Sequence, residues 1–294
     1  MMQIILNGLI LGSVYALIAL GYTMVYGIIK LINFAHGDIY MVGAFIGYYL
    51  INNFHMPFFV ALILAMILCA ILGVIIEYLA YRPLRNSTRI AALITAIGVS
   101  FLLENGMIFL VGSGSRAFPQ AIKIVKYEVL GMMVTNIQIM ILLTSLVLML
   151  LLQFIVQKTK MGKAMRAVSV EMDAARLMGI NVNQTISFTF ALGSALAGAA
   201  GVMIGLYYGS IDPLMGMAPG IKAFIAAVLG GIGIIPGAAL GGIVIGLIET
   251  VTQSLPGKLS FVAGYKDAVV YVILILILLV RPSGILGKNV KEKV

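Results

Sequence analysis

The sequence is poor in charge. Asp, Glu, Lys and Arg make up 10% of its 294 residues, whereas a soluble domain carries about 25%. Hydrophobic residues make up 62%. Each apolar side chain left in water forgoes roughly 1.5–3 kcal/mol of burial. The composition therefore excludes an ordinary water-soluble domain and indicates a protein whose solvent is lipid.

The sequence is also poor in residues that carry out chemistry. It has two histidines and one cysteine, Cys69, so thiols can form neither a disulfide framework nor a metal site. No metal-ligand cluster stands out, and no nucleophile has an obvious base. The phosphate-binding pattern GxxxxGK[ST] does not occur in the sequence. We expect no enzyme activity, no bound metal and no bound cofactor on this chain. If ATP is used, its site lies on another polypeptide.

Long apolar runs separated by short polar loops fill the sequence, and most are near the ~20 residues that cross a bilayer as a helix. A membrane β-barrel would instead show alternating segments of about ten residues. We predict an all-α fold, a polytopic transmembrane helical bundle of about eight spans (range roughly seven to ten), forming a single domain over residues 1–294. The runs occupy residues 3–29, 34–53, 57–80, 88–112, 137–156, 184–208, 221–253 and 267–280.

The basic residues collect in three segments, 81–89, 157–183 and the tail from Arg281. Lys and Arg favour cytoplasmic loops, so we place all three segments in the cytoplasm, and residues 113–136 outside. This clustering indicates membrane topology and no binding of nucleic acid.

The run at 221–253 creates a problem of parity, because the chain must cross an even number of times between 157–183 and the tail. The run is too long for one span and is interrupted at GGIGIIPG, residues 230–237. Two short spans, or one span and a re-entrant piece, would restore parity. The polar stretch 30–38 is a second candidate for a re-entrant segment.

Small residues recur at intervals of four, which places them on one helix face and lets helix backbones approach closely. They serve either simple packing or flexible gates. The three ladders are Gly8, Gly12 and Ala16; Gly193, Ala197, Gly201, Gly205 and Gly209; and Gly233, Gly237 and Gly241.

The longest polar loop, 157–183, contains an amphipathic pattern. Its apolar residues are spaced 4-3-4-3, which predicts one helix with an apolar stripe that something must cover. The cover could be the lipid headgroups, the protein's own spans or another protein. The stripe consists of Met161, Met165, Val168, Met172 and Ala175, and Gly179 ends the pattern.

Within this loop, DAARLMG (Asp173 to Gly179) resembles the EAA-xxx-G loop of ABC importer permeases, which docks onto the ATPase. Asp173, Ala174, Ala175 and Gly179 match that pattern, with Asp in place of Glu, while the downstream Ile-x-Leu-Pro of many such permeases is missing. The resemblance implies that the stripe and these four residues couple the chain to an ATPase.

Other segments resemble branched-chain amino acid permeases of the LivH/LivM type. They are the region Asn7 to Phe45 with its NFAHGD cluster, GGIGIIPGAALGG (residues 230–242) and RPSGILG (residues 281–287). The resemblance covers essentially the whole chain.

This resemblance implies a permease subunit of a binding-protein-dependent ABC importer in the bacterial inner membrane. Its implied partners are two ATPases, a second related permease and an extracytoplasmic solute-binding protein, besides the surrounding lipid. The implied substrates are Leu, Ile and Val, moved by alternating access. The alternatives are a secondary transporter or channel for a small polar solute, and a permease of the same family for urea or amides.

Polar residues inside the spans are the candidates for a translocation path, because charge at membrane depth is costly and often functional. We select Asn33, His36, Asp38, Glu104 and Glu249. Each has a structural alternative: the first three could fix a re-entrant turn, Glu104 could make a buried hydrogen bond, and Glu249 could face either the cavity or the outside. We expect Glu77 to be interfacial, close to Arg82.

Overall fold

The apolar runs form helices because a backbone in lipid must satisfy its hydrogen bonds within itself. The structure, a computed structural model, describes residues 1–85, 87–129, 131–255, 263–281 and 283–287. The basic tail residues 288–293 used for the topology prediction lie outside the described residues. The helices are α1 (Met2–Ile29), α2 (His36–Asn52), α3 (Phe58–Ile76), α4 (Arg89–Val111), α5 (Asn136–Lys158), α6 (Lys160–Val170), α7 (Met172–Leu177), α8 (Val182–Tyr208), α9 (Met217–Gly230), α10 (Ile235–Gln253) and α11 (Lys266–Val280).

The prediction of a polytopic helical bundle is confirmed. Seven helices in the described part of the chain are long and apolar enough to cross a membrane. Two more, α2 with 17 residues and α9 with 14 residues, are shorter. A helix rises 1.5 Å per residue, so α9 is about 21 Å long and cannot cross a hydrocarbon core of about 30 Å by itself.

The run at 221–253 is divided between α9 and α10, which are joined by a turn at residues 231–234. Gly231 and Gly233 both have positive φ, of 107° and 91°, a conformation that favours glycine. The chain thus reverses direction between the predicted cytoplasmic loop and the tail, as the parity argument required. The segment before α9, residues 209–216, is not helical, and Ile211, Pro213 and Gly216 in it are buried.

The core lies around α1, α8 and α10. Most of α1 and α8 is buried, whereas α4, α5 and α11 are mostly exposed apolar helices at the periphery. Exposed Phe109 and Leu110 of α4 and Leu279 of α11 illustrate this outer surface. Such a surface suits lipid or another membrane protein.

Glycine ladders hold the central helices together, as predicted. A β-carbon on Gly12 of α1 would stand 2.7 Å from the Ile243 Cα of α10, and one on Gly246 would meet the Gly12 backbone. Gly201 of α8 similarly lies against the Tyr40 carbonyl of α2. Gly209 differs from the rest of its ladder: it ends α8 at φ 66° with open space around it.

The predicted outer segment, residues 113–136, contains short strands. These strands are β1 (Arg116–Ala117), β2 (Lys126–Val129) and β3 (Met132–Thr135). A fourth strand, β4 (Ser210–Ile211), follows α8. The β1 and β4 strands pair antiparallel, as do β2 and β3. The first pair joins the start of this segment to the chain that leads into α9.

The segment 283–287, part of RPSGILG, closes the C-terminal end of α9. The N–H groups of Ile285 and Leu286 donate to the carbonyl oxygens of Leu229 and Gly230, over 2.8 and 3.1 Å. Helix C-termini leave their last carbonyl groups without helical partners, and this segment supplies two of the missing donors.

Candidate functional site

A cavity of about 160 Å³ opens between α1, α2, α4 and α9. We call it the acidic cavity. Its polar lining consists of Tyr22, Asp38, Ser100 and Glu104, and its apolar walls include Phe34, Ile97, Phe101 and Ile221. Ser100 is at the middle of α4, which places the cavity at mid-membrane if α4 crosses the bilayer.

The cavity exists because two helices begin inside the bundle. His36 at the start of α2 lies against Gly21, well before the end of α1, and α9 begins at Met217. The two starting points touch, because a β-carbon on Gly37 would stand 2.6 Å from the Gly216 carbonyl oxygen. The predicted break near residues 30–38 is thus a turn that returns the chain to membrane depth.

Asp38 and Glu104 are the two predicted path residues that share this cavity. Both are buried, with 2% and 6% of their surface exposed. The Ser100 hydroxyl donates to Asp38, and the Glu104 carboxyl lies beside that of Asp38. No Lys, Arg or His is among the residues that line the cavity.

Asn33 and His36 are buried but do not line the cavity. The Tyr81 hydroxyl donates to the Asn33 Oδ1 over 3.0 Å. The His36 ring packs edge-on against Tyr22, with 4.8 Å between ring centroids. Asn33 thus lies in the turn before α2, and His36 is the first residue of that helix.

Glu249 lies in a different cluster, away from the acidic cavity. It accepts hydrogen bonds from the Lys222 ammonium and the Tyr15 hydroxyl, each over 2.8 Å, and Lys266 is 3.1 Å away. Lys222 also pairs with Asp267 over 2.7 Å. The cluster joins α1, α9, α10 and α11. Sequence reasoning missed Lys222, although a lysine inside an apolar run was a visible signal.

Glu77 is close to Arg82, as predicted, but it is fully buried. Its carboxylate accepts hydrogen bonds from Arg82, Arg85 and Ser187. Partial burial lowers the pKa of the Arg85 guanidinium from its ordinary value, and the Glu77 carboxylate opposes this by raising it. The cluster ties the end of α3 to α8.

The polar loop 157–183 forms two helices, α6 and α7, so the prediction of one continuous helix is wrong. The chain is extended at Glu171, with φ −154° and ψ 115°. Glu171 begins α7 as its N-cap, and Gly179 then ends it at φ 82°. Amphipathic spacing shows only which residues share a face. It cannot reveal the break, because the apolar stripe continues on the same face in α6 and in α7.

The apolar stripe of the loop is covered by the protein itself. Met165, Val168 and Ala175 are buried, and Met161 and Met172 are half-buried. Helix α6 packs against α5, α8 and α1. The sequence left three alternatives for what covers the stripe, and the structure favours the protein's own spans. These five residues therefore do not form the outer surface of the loop.

The outer surface of the loop presents a different apolar set. Val170, Leu177 and Met178 are 84%, 89% and 82% exposed. Asp173, Ala174 and Gly179 are exposed beside them. Sequence reasoning missed the first three, because an apolar residue off the main stripe has no distinctive spacing. We call this set of six residues the loop surface; its contact with an ATPase stays a prediction.

Comparisons with known proteins agree along the whole chain. The profile of the family described as branched-chain amino acid transport system, permease component, matches residues 4–278. The high-affinity branched-chain amino acid transport system permease protein LivH of Salmonella typhimurium is 43% identical, with 100% of this chain and 97% of that protein covered. The corresponding protein BraD of Pseudomonas aeruginosa is 41% identical, with 100% and 98% covered.

A more distant relative comes from Methanocaldococcus jannaschii. Its probable branched-chain amino acid transport permease protein LivH is 30% identical, with 99% of this chain and 94% of that protein covered. No solved structure matches the chain.

Proposed function

The chain belongs to the family of branched-chain amino acid transport permease components, and from that premise we propose that it is the membrane-spanning subunit of an ABC importer for leucine, isoleucine and valine. We place it in the bacterial inner membrane, next to a second, related permease. Two ATPases on the cytoplasmic side and an extracytoplasmic solute-binding protein complete the assembly. ATP binds to the ATPases.

The observation that carries this proposal is similarity over the full length of both chains, at 41–43% identity to permeases with this named substrate class. The whole bundle is matched. Similarity confined to one helix pair would support only a membrane protein.

The mechanism we propose is alternating access, with the loop surface as the contact for an ATPase. Exposed Leu177 and Met178 offer apolar area that the chain itself leaves uncovered. Helix α6 is packed on α5, α8 and α1, so a force on α7 would reach the core helices through it.

The experiment that tests the partners is purification of the tagged chain from its native membranes, with the bound proteins identified by mass spectrometry. We expect two copies of ATPase and a second permease. Leu177→Asp should lower ATPase recovery about tenfold or more, because it puts a charge into an apolar contact. Met133→Asp is the matched control: Met133 is also exposed and apolar, but it belongs to β3 in the segment that we place outside.

Two results would contradict these proposals: recovery of the chain alone, or ATPase recovery that Leu177→Asp leaves unchanged. The first result would favour a secondary transporter or a channel. The second would leave the importer standing and remove the loop surface as the contact.

A further inference from the structure

The acidic cavity has an incomplete set of interactions. Glu104 is 94% buried, given its 6% exposure, yet no hydroxyl, amide or cationic group of a described residue donates a hydrogen bond to it, and its polar contact is with the Asp38 carboxyl. The carboxyl group beside it, that of Asp38, receives one from Ser100. Two neighbouring carboxyl groups without a cation repel each other if both are ionised, so the pair favours a bound positive group or a shared proton.

A second polar group of the cavity, the Tyr22 hydroxyl, accepts a hydrogen bond from the backbone N–H of Gly37. Tyr22 is 3% exposed, and its hydroxyl donates no hydrogen bond to a described residue. That hydroxyl reaches the first turn of α9, 3.6 Å from where a β-carbon on Gly220 would stand. The cavity therefore holds a hydroxyl donor as well as two carboxyl acceptors.

The first turn of α9 adds a positive end. This helix of 14 residues has no side-chain cap and no acidic residue in its first turn. Pro219 has no N–H, and the Ala218 N–H has no backbone acceptor. An uncapped helix N-terminus stabilises an anion, above all where a broken helix begins at membrane depth.

From these groups we infer that the acidic cavity is a binding site for a zwitterionic aliphatic amino acid, its ammonium between Asp38 and Glu104 and its carboxylate toward Tyr22 and the α9 N-terminus. An ammonium group has three N–H donors and can bridge both carboxyl groups. This inference rests on the proposed function and names the residues that would hold its substrate.

The size and walls of the cavity suit such a ligand. At about 160 Å³ it is smaller than the ~300–1,000 Å³ of drug-sized sites and several times the ~30 Å³ of one water molecule. Ile97, Phe101 and Ile221 form apolar walls and are themselves partly exposed, at 38%, 57% and 45%, so the cavity is open on this side. An aliphatic side chain would cover part of that surface.

The first test uses a diazirine analogue of leucine that cross-links to nearby residues on illumination. The complete importer, in lipid nanodiscs with its binding protein and ATP, is illuminated during turnover, and the adducts are located by mass spectrometry. We expect adducts on α4 and α9, at or next to Ile97, Phe101 and Ile221. Excess unlabelled leucine should suppress these adducts. Adducts confined to other helices would overturn the inference, and no variant needs to fold for this result.

The second test uses ATP-driven uptake of radiolabelled leucine by the same complex in liposomes. Glu104→Gln keeps the shape of the side chain and removes the charge that would bind ammonium, so uptake should fall about tenfold or more. Glu104→Asp should keep part of the uptake. Asn105→Ala is the control: the neighbouring Asn105 is exposed, and among the described residues its side chain bonds only to the Phe101 carbonyl.

The outcomes separate the two proposals. Wild-type uptake of leucine with equal uptake by Glu104→Gln would overturn the site and leave the importer standing. No uptake of leucine by the wild-type complex would overturn the proposed function, and the amino-acid site with it.

Discussion

At the scale of single residues, the buried charges of this chain fall into three groups with different surroundings. Glu77 has two arginines and a serine, and Glu249 has two lysines and a tyrosine. Asp38 and Glu104 have no cation among the residues of their cavity. The first two groups are neutralised within the protein and therefore serve packing, whereas the third remains available to a ligand.

The Glu77 cluster leads to a prediction about stability. Glu77→Gln removes a fully buried carboxylate and leaves the guanidinium of Arg85, whose side chain is 12% exposed, without its partner. Loss of one partner of a buried pair costs about 3–5 kcal/mol, and the partial exposure of the arginines places the expected cost at the lower end. Thermal unfolding of the purified chain in detergent measures the effect.

Asp173→Asn is the matched control for that measurement. It also removes an ion pair, the one with Arg176, but both side chains are more than half exposed, so the change should lie within about 1 kcal/mol. Equal stability of the Glu77→Gln variant and this control would contradict the role given to the Glu77 cluster.

Single residues also mark where sequence reasoning ends. The costs of burying charge sufficed to select Asp38, Glu104 and Glu249, and all three are buried. The same reasoning could not pair them, because their partners come from distant parts of the chain: Ser100 for Asp38, and Lys222 for Glu249. Lys222 was missed since its run was read as uniformly apolar.

At the scale of helices, the contact between α1 and α10 depends on glycine. Gly246→Ala would place a methyl group on the Gly12 backbone, which cannot rotate away as a side chain could. The helices must then separate, at a cost of about 1–3 kcal/mol or more. We expect a melting temperature lower by several degrees, at about 2–4 °C per kcal/mol.

Gly106→Ala provides the control, because Gly106 is also inside a helix, α4, but has open space around it. Alanine is the better helix former by about 1 kcal/mol, so this variant should melt at the same or a higher temperature. If both variants behaved alike, the glycine ladder would not determine how closely α1 and α10 pack.

Helices show which features follow from local pattern. Intervals of four predicted the contacts of Gly12 and Gly201 correctly, because helical periodicity sets which residues share a face. They also included Gly233, which lies in the turn before α10, and they left out Gly246. The break at Glu171 between α6 and α7 was not predicted, since the apolar stripe continues through it. The direction in which the stripe faces could not be predicted either. It depends on the packing of α6 against α5 and α8, about which the local sequence pattern carries no information.

At the scale of the whole molecule, α2 and α9 both begin inside the bundle and meet at Gly37 and Gly216. The sequence indicated the interruption before α2, near residues 30–38. It did not indicate the one before α9, because the break predicted at residues 230–237 is the turn that follows α9. The junction of α2 and α9 at one cavity follows from the way α1, α8 and α10 pack, and no spacing in the sequence encodes it. The resulting arrangement brings two helix N-termini and two carboxyl groups to the same depth.

Uptake of labelled leucine by liposomes that contain the purified assembly, with its binding protein outside and ATP inside, is the decisive test of the importer assignment. We expect leucine to accumulate only when ATP and both ATPases are present. Isoleucine and valine should compete with leucine for uptake, whereas urea should not. Uptake that persists without the ATPases would contradict the importer assignment in favour of a secondary transporter or channel. Uptake of urea in place of leucine would leave the importer assignment standing and contradict the proposed substrate.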